Sequence, residues 1–528
     1  MTNDHAKGIT NPLAAAYPVL FPYGIGGIEA EQPIKVTLKD HTQWALQYYD
    51  CRFATHHSFL FVAFALIQKC GTMHSARLQM HRKDFEKDLF ILSSIMLKDL
   101  KQAEAEERRR DPISNPRVCA LQKHVVTANG RVIGSDHARA QYHSMIWGTC
   151  LFLGGPTIWI TINPADIHDP IAQVFAGETI NMDNFNNLLG PGSHHRAKNI
   201  MSNPYAAARF FDFIVHTMLE TLIGITKHGS RVTSQLGILG QVTAYFGVVE
   251  VQGRGTLHLH MLMWLASTPN SKEMEQALKT KVFREKIRIY IARNIRAHLD
   301  DLTDMNIKSM AWQPQLAYSR PADPRQEGWQ EHNHESERQL VRSQQVHTCS
   351  RWTCLRMEKG QFICKRRAPW PTSEKDYIDE RGNWGPKRTN GYINGYCPLL
   401  LTNMCCNMDI KLNTNGANTK DVAFYITAYA TKKQKKSHNL SALMASALPY
   451  HINNPKYDDL RERNRLLLYR CINVINHEME LSGPQVVSYL MGYGDTYTSH
   501  NYNPLYTGAL FSTIKRMFLT IVVGAKER

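Results

Sequence analysis

Several signatures that would fix a broad class are missing from this sequence. No Gly-x4-Gly-Lys-[Ser/Thr] segment occurs, so the chain carries no P-loop ATPase. The longest clean apolar run, Phe59 to Ile67, is nine residues. A spanning helix needs about 20, so no membrane partner is expected. The opening Met1-Thr2-Asn3-Asp4-His5 has no basic-then-apolar layout, and no secretory route is expected. There is no internal repeat. Cysteine is sparse and odd in number, 11 in 528 residues. That argues for an intracellular reducing compartment, with thiols that are buried, metal-bound or idle. Carboxylates are outnumbered, 46 against 62 basic residues, for a net charge of +16 and a pI near 9.3. A surplus that size suits a polyanionic partner and says nothing about fold. Apolar residues make up 43% and aromatics 9%, a globular composition and not a disordered one.

At 60.3 kDa the chain has room for about three or four domains. Residues 1–150 read as mainly helical. Phe59 to Ile67 is apolar all round, as in a buried helix. The charged stretch Leu100 to Asp111 reads as a solvated helix end or linker. Residues 151–300 change texture. Thr157 to Ile162 is a strand candidate closed by Asn163-Pro164, and Tyr205 to His228 a helix. Val242 to Gln252 and Leu257 to Leu265 read as strands, and Glu273 to Leu299 as one long charged helix. Residues 301–395 are polar and rich in Trp, Cys, Arg and Pro, like an insertion. Residues 396–440 hold a short strand at Asn407 to Leu412 and a helix at Asp421 to Lys436. Residues 441–528 hold a charged helix near Asp458 to Glu480, then Gly/Tyr/Asn-rich loops.

The sharpest pattern is Leu257-His258-Leu259-His260-Met261-Leu262-Met263-Trp264-Leu265. Alternate residues of a strand share a face, so the odd positions form an apolar core face. His258 and His260 stand on the other face, with Leu262 and Trp264 beyond. Two imidazoles at i and i+2 can bind one divalent metal. The preceding strand contains Glu250 and Gln252. In a hairpin with an odd loop length both share the histidine face, and either could complete a three-ligand set. A four-residue loop would turn both away. His332-Asn333-His334 has the same spacing but lacks a strand pattern.

A second pattern is Phe424-Tyr425-Ile426-Thr427-Ala428-Tyr429-Ala430-Thr431-Lys432-Lys433-Gln434-Lys435-Lys436. On a helix, Tyr425 and Tyr429 lie on one face about a turn apart, and Lys432 and Lys433 continue it. Two phenols beside ammonium groups suit attack on a phosphodiester. Tyrosine, with a pKa near 10, needs neighbouring cations or a metal on the phosphate to act near neutrality. The bland alternative is an amphipathic helix with a basic end.

A third pattern is His347-Thr348-Cys349-x4-Cys354-x9-Cys364, four zinc-type ligands within 18 residues. Cys397, Cys405 and Cys406 are possible substitutes. Arg351, Trp352, Arg356, Lys365, Arg366, Arg367, Trp370 and Trp384 surround it. Cations that follow a backbone and rings that stack on bases suit single-stranded DNA. Asn163, Arg254, Arg366, Arg367, Lys435 and Lys436 are the candidate DNA contacts.

A His-x-His strand with a Tyr-x3-Tyr-Lys helix resembles the HUH endonucleases. More closely, the chain resembles the Rep part of Helitron-type rolling-circle transposases. The matching blocks run in order: Ala16 to Gly24, Trp159 to Pro164, His258 to His260, Tyr425 to Lys432 and Ser482 to Leu490. The resemblance implies an α+β fold, an HUH/Rep-type antiparallel sheet flanked by helices, with a mainly helical N-terminal region and a zinc-binding insertion. It implies nicking of single-stranded DNA through a 5′-phosphotyrosine. His258, His260 and Glu250 or Gln252 would hold Mg²⁺ or Mn²⁺, and His347, Cys349, Cys354 and Cys364 would hold structural Zn²⁺. It also implies a nuclear location. Without a Walker A loop, unwinding would need a helicase domain from a longer chain or in trans. The alternative is a catalytically inactive, zinc-containing single-stranded-DNA-binding remnant of a transposon.

Overall fold

Three Asn-Pro pairs start helices here. Asn11, Asn115 and Asn203 each accept an N–H from the first turn, at 3.1, 3.0 and 3.0 Å, and the following proline fills a position whose own N–H would be unpaired. Another Asn-Pro pair, Asn163-Pro164, ends a strand instead. The computed structural model describes residues 11–29, 33–182, 190–251, 255–299, 307, 322–414, 439–452, 458–503, 513–514 and 516–517.

The centre is an antiparallel sheet. Its strands are β1 (Ile158–Asn163), β2 (Gly240–Val251), β3 (Leu257–Leu265), β4 (Asn407–Leu412) and β5 (Thr496–Thr498). Their spatial order is β4-β1-β3-β2-β5, every neighbour antiparallel, and a two-residue strand, Leu236–Gly237, pairs beside β2. The mixed helix-and-sheet class is as expected. The alternation in β3 works as expected too. Leu259, Met261 and Met263 are fully buried in the main core with Ile160, Val215, Met218, Leu401 and Ile410. Each such side chain contributes roughly 1.5–3 kcal/mol of transfer free energy. Helices Pro204–Thr217, Lys281–Asn294 and Pro398–Met404 supply much of that layer. On the other face, Leu262, Trp264, Phe246 and Trp159 pack against Ile146 of helix Gln141–Leu153.

A second core is all helical. Leu100, Leu121 and Val125, from helices Leu97–Arg109 and Pro116–Asn129, pack with Met444, Leu448, Leu468 and Ile472, from helices Leu440–Ile452 and Leu460–His477. The two ends of the chain therefore share one hydrophobic cluster, which no local pattern signals.

Three element expectations need correction. The helix expected over 205–228 ends in a π-turn at Met218–Leu222, and Ile225–His228 is a strand paired with Arg231–Ser234. Gly224, at φ +75°, makes the break, since L side chains rarely adopt that conformation. The single helix expected over 273–299 is two, Ser271–Leu278 and Lys281–Asn294. The apolar run at Phe59 opens a longer helix, Phe59–Met80, with Phe59 and Leu60 buried but Phe61 and Val62 exposed. By length and mean hydropathy of 1.2 this helix could cross a membrane, which is weak evidence by itself. It buries Gln68, Ser75 and Gln79 in hydrogen bonds to the Ile133 carbonyl, the Ala128 carbonyl and His124, the habit of a core helix.

Candidate functional site

The β2–β3 hairpin sets Glu250 directly opposite His258 and Val248 opposite His260. Residues opposite one another in an antiparallel pair share a face, so the carboxylate joins the histidines. One Glu250 oxygen, Oε2, lies 3.3 Å from His258 Nε2 and 3.1 Å from His260 Nε2. The donor atoms of all three residues lie within 4.8 Å of one another. The side chains are 6%, 7% and 16% exposed for His258, His260 and Glu250, so the cluster is largely out of water. Two imidazole nitrogens and a carboxylate oxygen converging this closely fit one divalent ion. Gln252, the alternative third ligand, lies outside the described residues, as does Arg254.

Neighbouring strands orient the cluster. Thr161 of β1 stands opposite His260, and its Oγ1 is 3.0 Å from His260 Nδ1. With the hydroxyl on Nδ1, Nε2 is left for an ion. The Trp159 ring stacks on His260 at 6.4 Å and 20°. Asn163 is two residues beyond Thr161, on the same face of β1, and pairs with Asn407 of β4. Thr161 was an unremarked member of the strand in the sequence. Only the pairing of β1 with β3 gives it a role.

A buried clamp holds β2 at the residue before Glu250. The Val249 N–H donates to the Asp495 carbonyl at 2.9 Å, and Arg139 Nη2 donates to the Val249 carbonyl at 3.4 Å. Arg139 and Asp495 form an ion pair at 3.2 Å, with side chains 4% and 5% exposed. Tyr142 and Tyr489 donate to the two Asp495 oxygens at 2.5 and 2.9 Å. Burial, reinforced by the Asp495 charge, keeps both phenols protonated far above the usual range. Tyr489 belongs to helix Gly483–Met491, capped by Ser482, so the Ser482 to Leu490 block anchors the hairpin.

The second cluster brings together the four residues expected as zinc ligands. His347 Nε2 is 3.4 Å from Cys349 Sγ and 3.3 Å from Cys364 Sγ, and with Cys354 all four donor atoms lie within 4.8 Å. Cys364 ends a hairpin, Leu355–Glu358 with Gln361–Cys364, whose turn residues Lys359 and Gly360 are both left-handed. A lone two-stranded hairpin is marginal in water, and a metal at its base would staple it. Burial and the adjacent Cys364 and Cys354 thiols push the Cys349 thiol up to about 11. A dication would relieve that crowding. Burial opposes ionisation of Cys364, yet N–H groups of Ala368 and Arg366 hold its thiol below the ordinary value. Burial and Arg366 lower the pKa of His347, favouring the neutral, ligating imidazole. The set fits a metal such as zinc.

Cys397, Cys405 and Cys406 do not substitute in it. They are buried in the main core, where burial pushes Cys397 up to about 11 and Cys405 up to about 12. His332 and His334 fall on helix Trp329–Leu340, where residues two apart do not share a face. Arg366 and Arg367 are exposed beside the zinc-type cluster. Tyr425, Tyr429, Lys432, Lys433, Lys435 and Lys436 lie outside the described residues.

Residues 41–263 match the model of the Helitron helicase-like domain found at the N-terminus. The chain carries a Helitron-type domain. That domain takes in β1, the start of the helical layer and both histidines of β3. It ties the protein to transposon-related function. No curated protein matches the chain in sequence.

Proposed function

We propose that this Helitron-type protein nicks single-stranded DNA and transfers the cut strand through a tyrosine–phosphate link. The observation that carries the reading is the placement of Glu250 against both histidines, which makes three ligands from one hairpin. His258, His260 and Glu250 would hold Mg²⁺ or Mn²⁺. Bound there, such an ion supplies positive charge that polarises a scissile phosphate. The donor set also suits zinc, and the preference for Mg²⁺ or Mn²⁺ rests on the chemistry. Thr161 fixes the ring of His260, and the clamp at Val249 fixes the position of Glu250.

Tyr425 or Tyr429 supplies the nucleophile. Its phenol gives a proton to water, its oxygen bonds to phosphorus, and the bond from phosphorus to the 3′ oxygen breaks. The departing oxygen takes up a proton, leaving a free 3′-OH and a 5′-phosphotyrosine. Reversal by another 3′-OH rejoins a strand. Lys432 and Lys433 offset phosphate charge, and two tyrosines allow two strands to be held in turn. Asn163, Arg254, Lys435 and Lys436 are proposed backbone contacts. A helicase domain, in a longer chain or in trans, is the proposed partner, and the nucleus the proposed place of action.

The test uses oligonucleotides labelled on either side of the cut, incubated with protein and Mn²⁺. The expected result is labelled protein from the 3′-side fragment only, lost in Tyr425→Phe/Tyr429→Phe. Cleavage that survives the double substitution refutes the tyrosine mechanism. Absence of cleavage with retained, salt-sensitive binding favours the inactive DNA-binding remnant.

A further inference from the structure

The zinc-type hairpin displays large rings to solvent. Trp352 is 96% exposed, in the turn between ligands Cys349 and Cys354. The turn is rigid. The Trp352 N–H donates to Ser350 Oγ at 3.2 Å, and the Cys354 and Leu355 N–H groups donate to the Ser350 carbonyl at 3.0 and 2.9 Å. Phe362, on the second strand, is 48% exposed, and the Arg351 guanidinium lies over it at 4.7 Å. Large rings held in water contribute nothing to a core, and such a display points to a binding surface. The charge around them is one-sided. Residues 349–367 carry six cations, Arg351, Arg356, Lys359, Lys365, Arg366 and Arg367, against the single carboxylate of Glu358.

We propose that this face of the hairpin is a stacking grip for single-stranded DNA, with Trp352 as the principal platform. The ligand set would hold the turn from beneath, the rings would meet bases, and Arg366 and Arg367 would meet phosphates. Six cations against one carboxylate select a polyanion by charge complementarity. Exposed rings select unpaired bases, because a duplex already buries its base faces. Stacking accepts any base, so the grip is indifferent to sequence. It is a contact separate from the histidine cluster and goes beyond the nicking reading.

The test measures binding of a fluorescein-labelled oligothymidylate to the full chain by anisotropy, zinc-loaded and without Mg²⁺ or Mn²⁺. Trp352→Ala is expected to weaken binding about five- to 140-fold, the range for loss of one stacked base. Its zinc content and its salt dependence should stay those of the parent. Trp352→Phe should recover most of the affinity. Arg366→Gln/Arg367→Gln should instead lower the slope of log affinity against log salt by about 1.4, for two phosphates released. Unchanged binding in Trp352→Ala overturns the proposal, as does tighter binding of a duplex or an RNA oligomer. Overturning it leaves tyrosine-dependent cleavage standing, and cleavage without tyrosines leaves this grip standing.

Discussion

Thr161→Val is the most discriminating small change near the histidine cluster. It keeps the branched shape that suits β1 and removes the hydroxyl 3.0 Å from His260 Nδ1. When Nε2 faces an ion, Nδ1 carries the proton and donates it to this hydroxyl. An ion on Nε2 would place part of its positive charge on the ring, and a hydrogen bond assisted by charge contributes about 1.5–3 kcal/mol. At about 1.4 kcal/mol per decade that is a ten- to hundredfold change in affinity. Substitutions of such supporting residues cost metal sites a similar factor. The assay is titration with Mn²⁺, following free ion by its paramagnetic resonance signal, with the Cys/His cluster filled with Zn²⁺ beforehand. Thr161→Val should bind Mn²⁺ ten- to a hundredfold more weakly. Thr161→Ser, which keeps the hydroxyl, should bind close to the parent. If Val binds as tightly as Thr, or Ser as weakly as Val, the hydroxyl does not support an ion at His260.

Two further outcomes follow from buried charge. Asp495→Asn leaves Arg139 charged, 4% exposed and without its ion pair, and should lower stability by about 3–5 kcal/mol in urea denaturation. The double substitution Arg139→Met/Asp495→Leu should cost less than Asp495→Asn alone, and an unshifted midpoint in Asp495→Asn would refute the clamp. Burial raises the Asp169 carboxyl to about 6, against an ordinary value of 3.8. A raised carboxyl contributes stability below pH 4 that is lost as pH climbs through 6. Asp169→Asn keeps an acceptor for the Ile171 N–H and removes the titration. The variant should therefore be more stable than the parent above pH 6, with the difference vanishing below pH 4. A difference independent of pH would show that Asp169 ionises normally.

The histidine strand was legible because β-sheet periodicity is local. The pattern from Leu257 to Leu265 states which side chains face the core, and the structure places Leu259, Met261 and Met263 there. The candidate third ligand was legible only as a choice between Glu250 and Gln252, since register depends on how the loop closes; the structure sets Glu250 against both histidines, and Gln252 lies outside the described residues. Thr161, Arg139 and Asp495 were not legible. Each acts through a strand pairing or an ion pair between residues far apart in sequence, and none belongs to a short pattern. The helix boundaries failed for a different reason. Apolar spacing continues through Gly224, so the pattern suggests helix where a left-handed glycine turns the chain into a strand. The ligands His347 to Cys364 sit close enough in sequence for spacing to find them. The exposure of Trp352 was hidden, because composition cannot separate a small-domain core from a binding face.

The sequence-defined domain and the structural unit do not coincide, and the difference bears on function. The family match stops at residue 263, inside β3, which runs to Leu265. The sheet is completed on one side by β4, at Asn407–Leu412, and on the other by β5, at Thr496–Thr498. Without β4, β1 loses its outer partner, and β1 carries Thr161 against His260. Without β5 and its neighbour Asp495, β2 loses the main-chain bond at Val249, and Arg139 loses its counter-ion next to Glu250. The same C-terminal region closes the helical core through Met444 and Leu468. The two histidines and their immediate partners Thr161 and Glu250 lie within residues 41–263, but the strands that brace those partners begin more than 140 residues further along the chain. Binding of the proposed ion at His258 and His260 would thereby be tied to folding of the whole described chain.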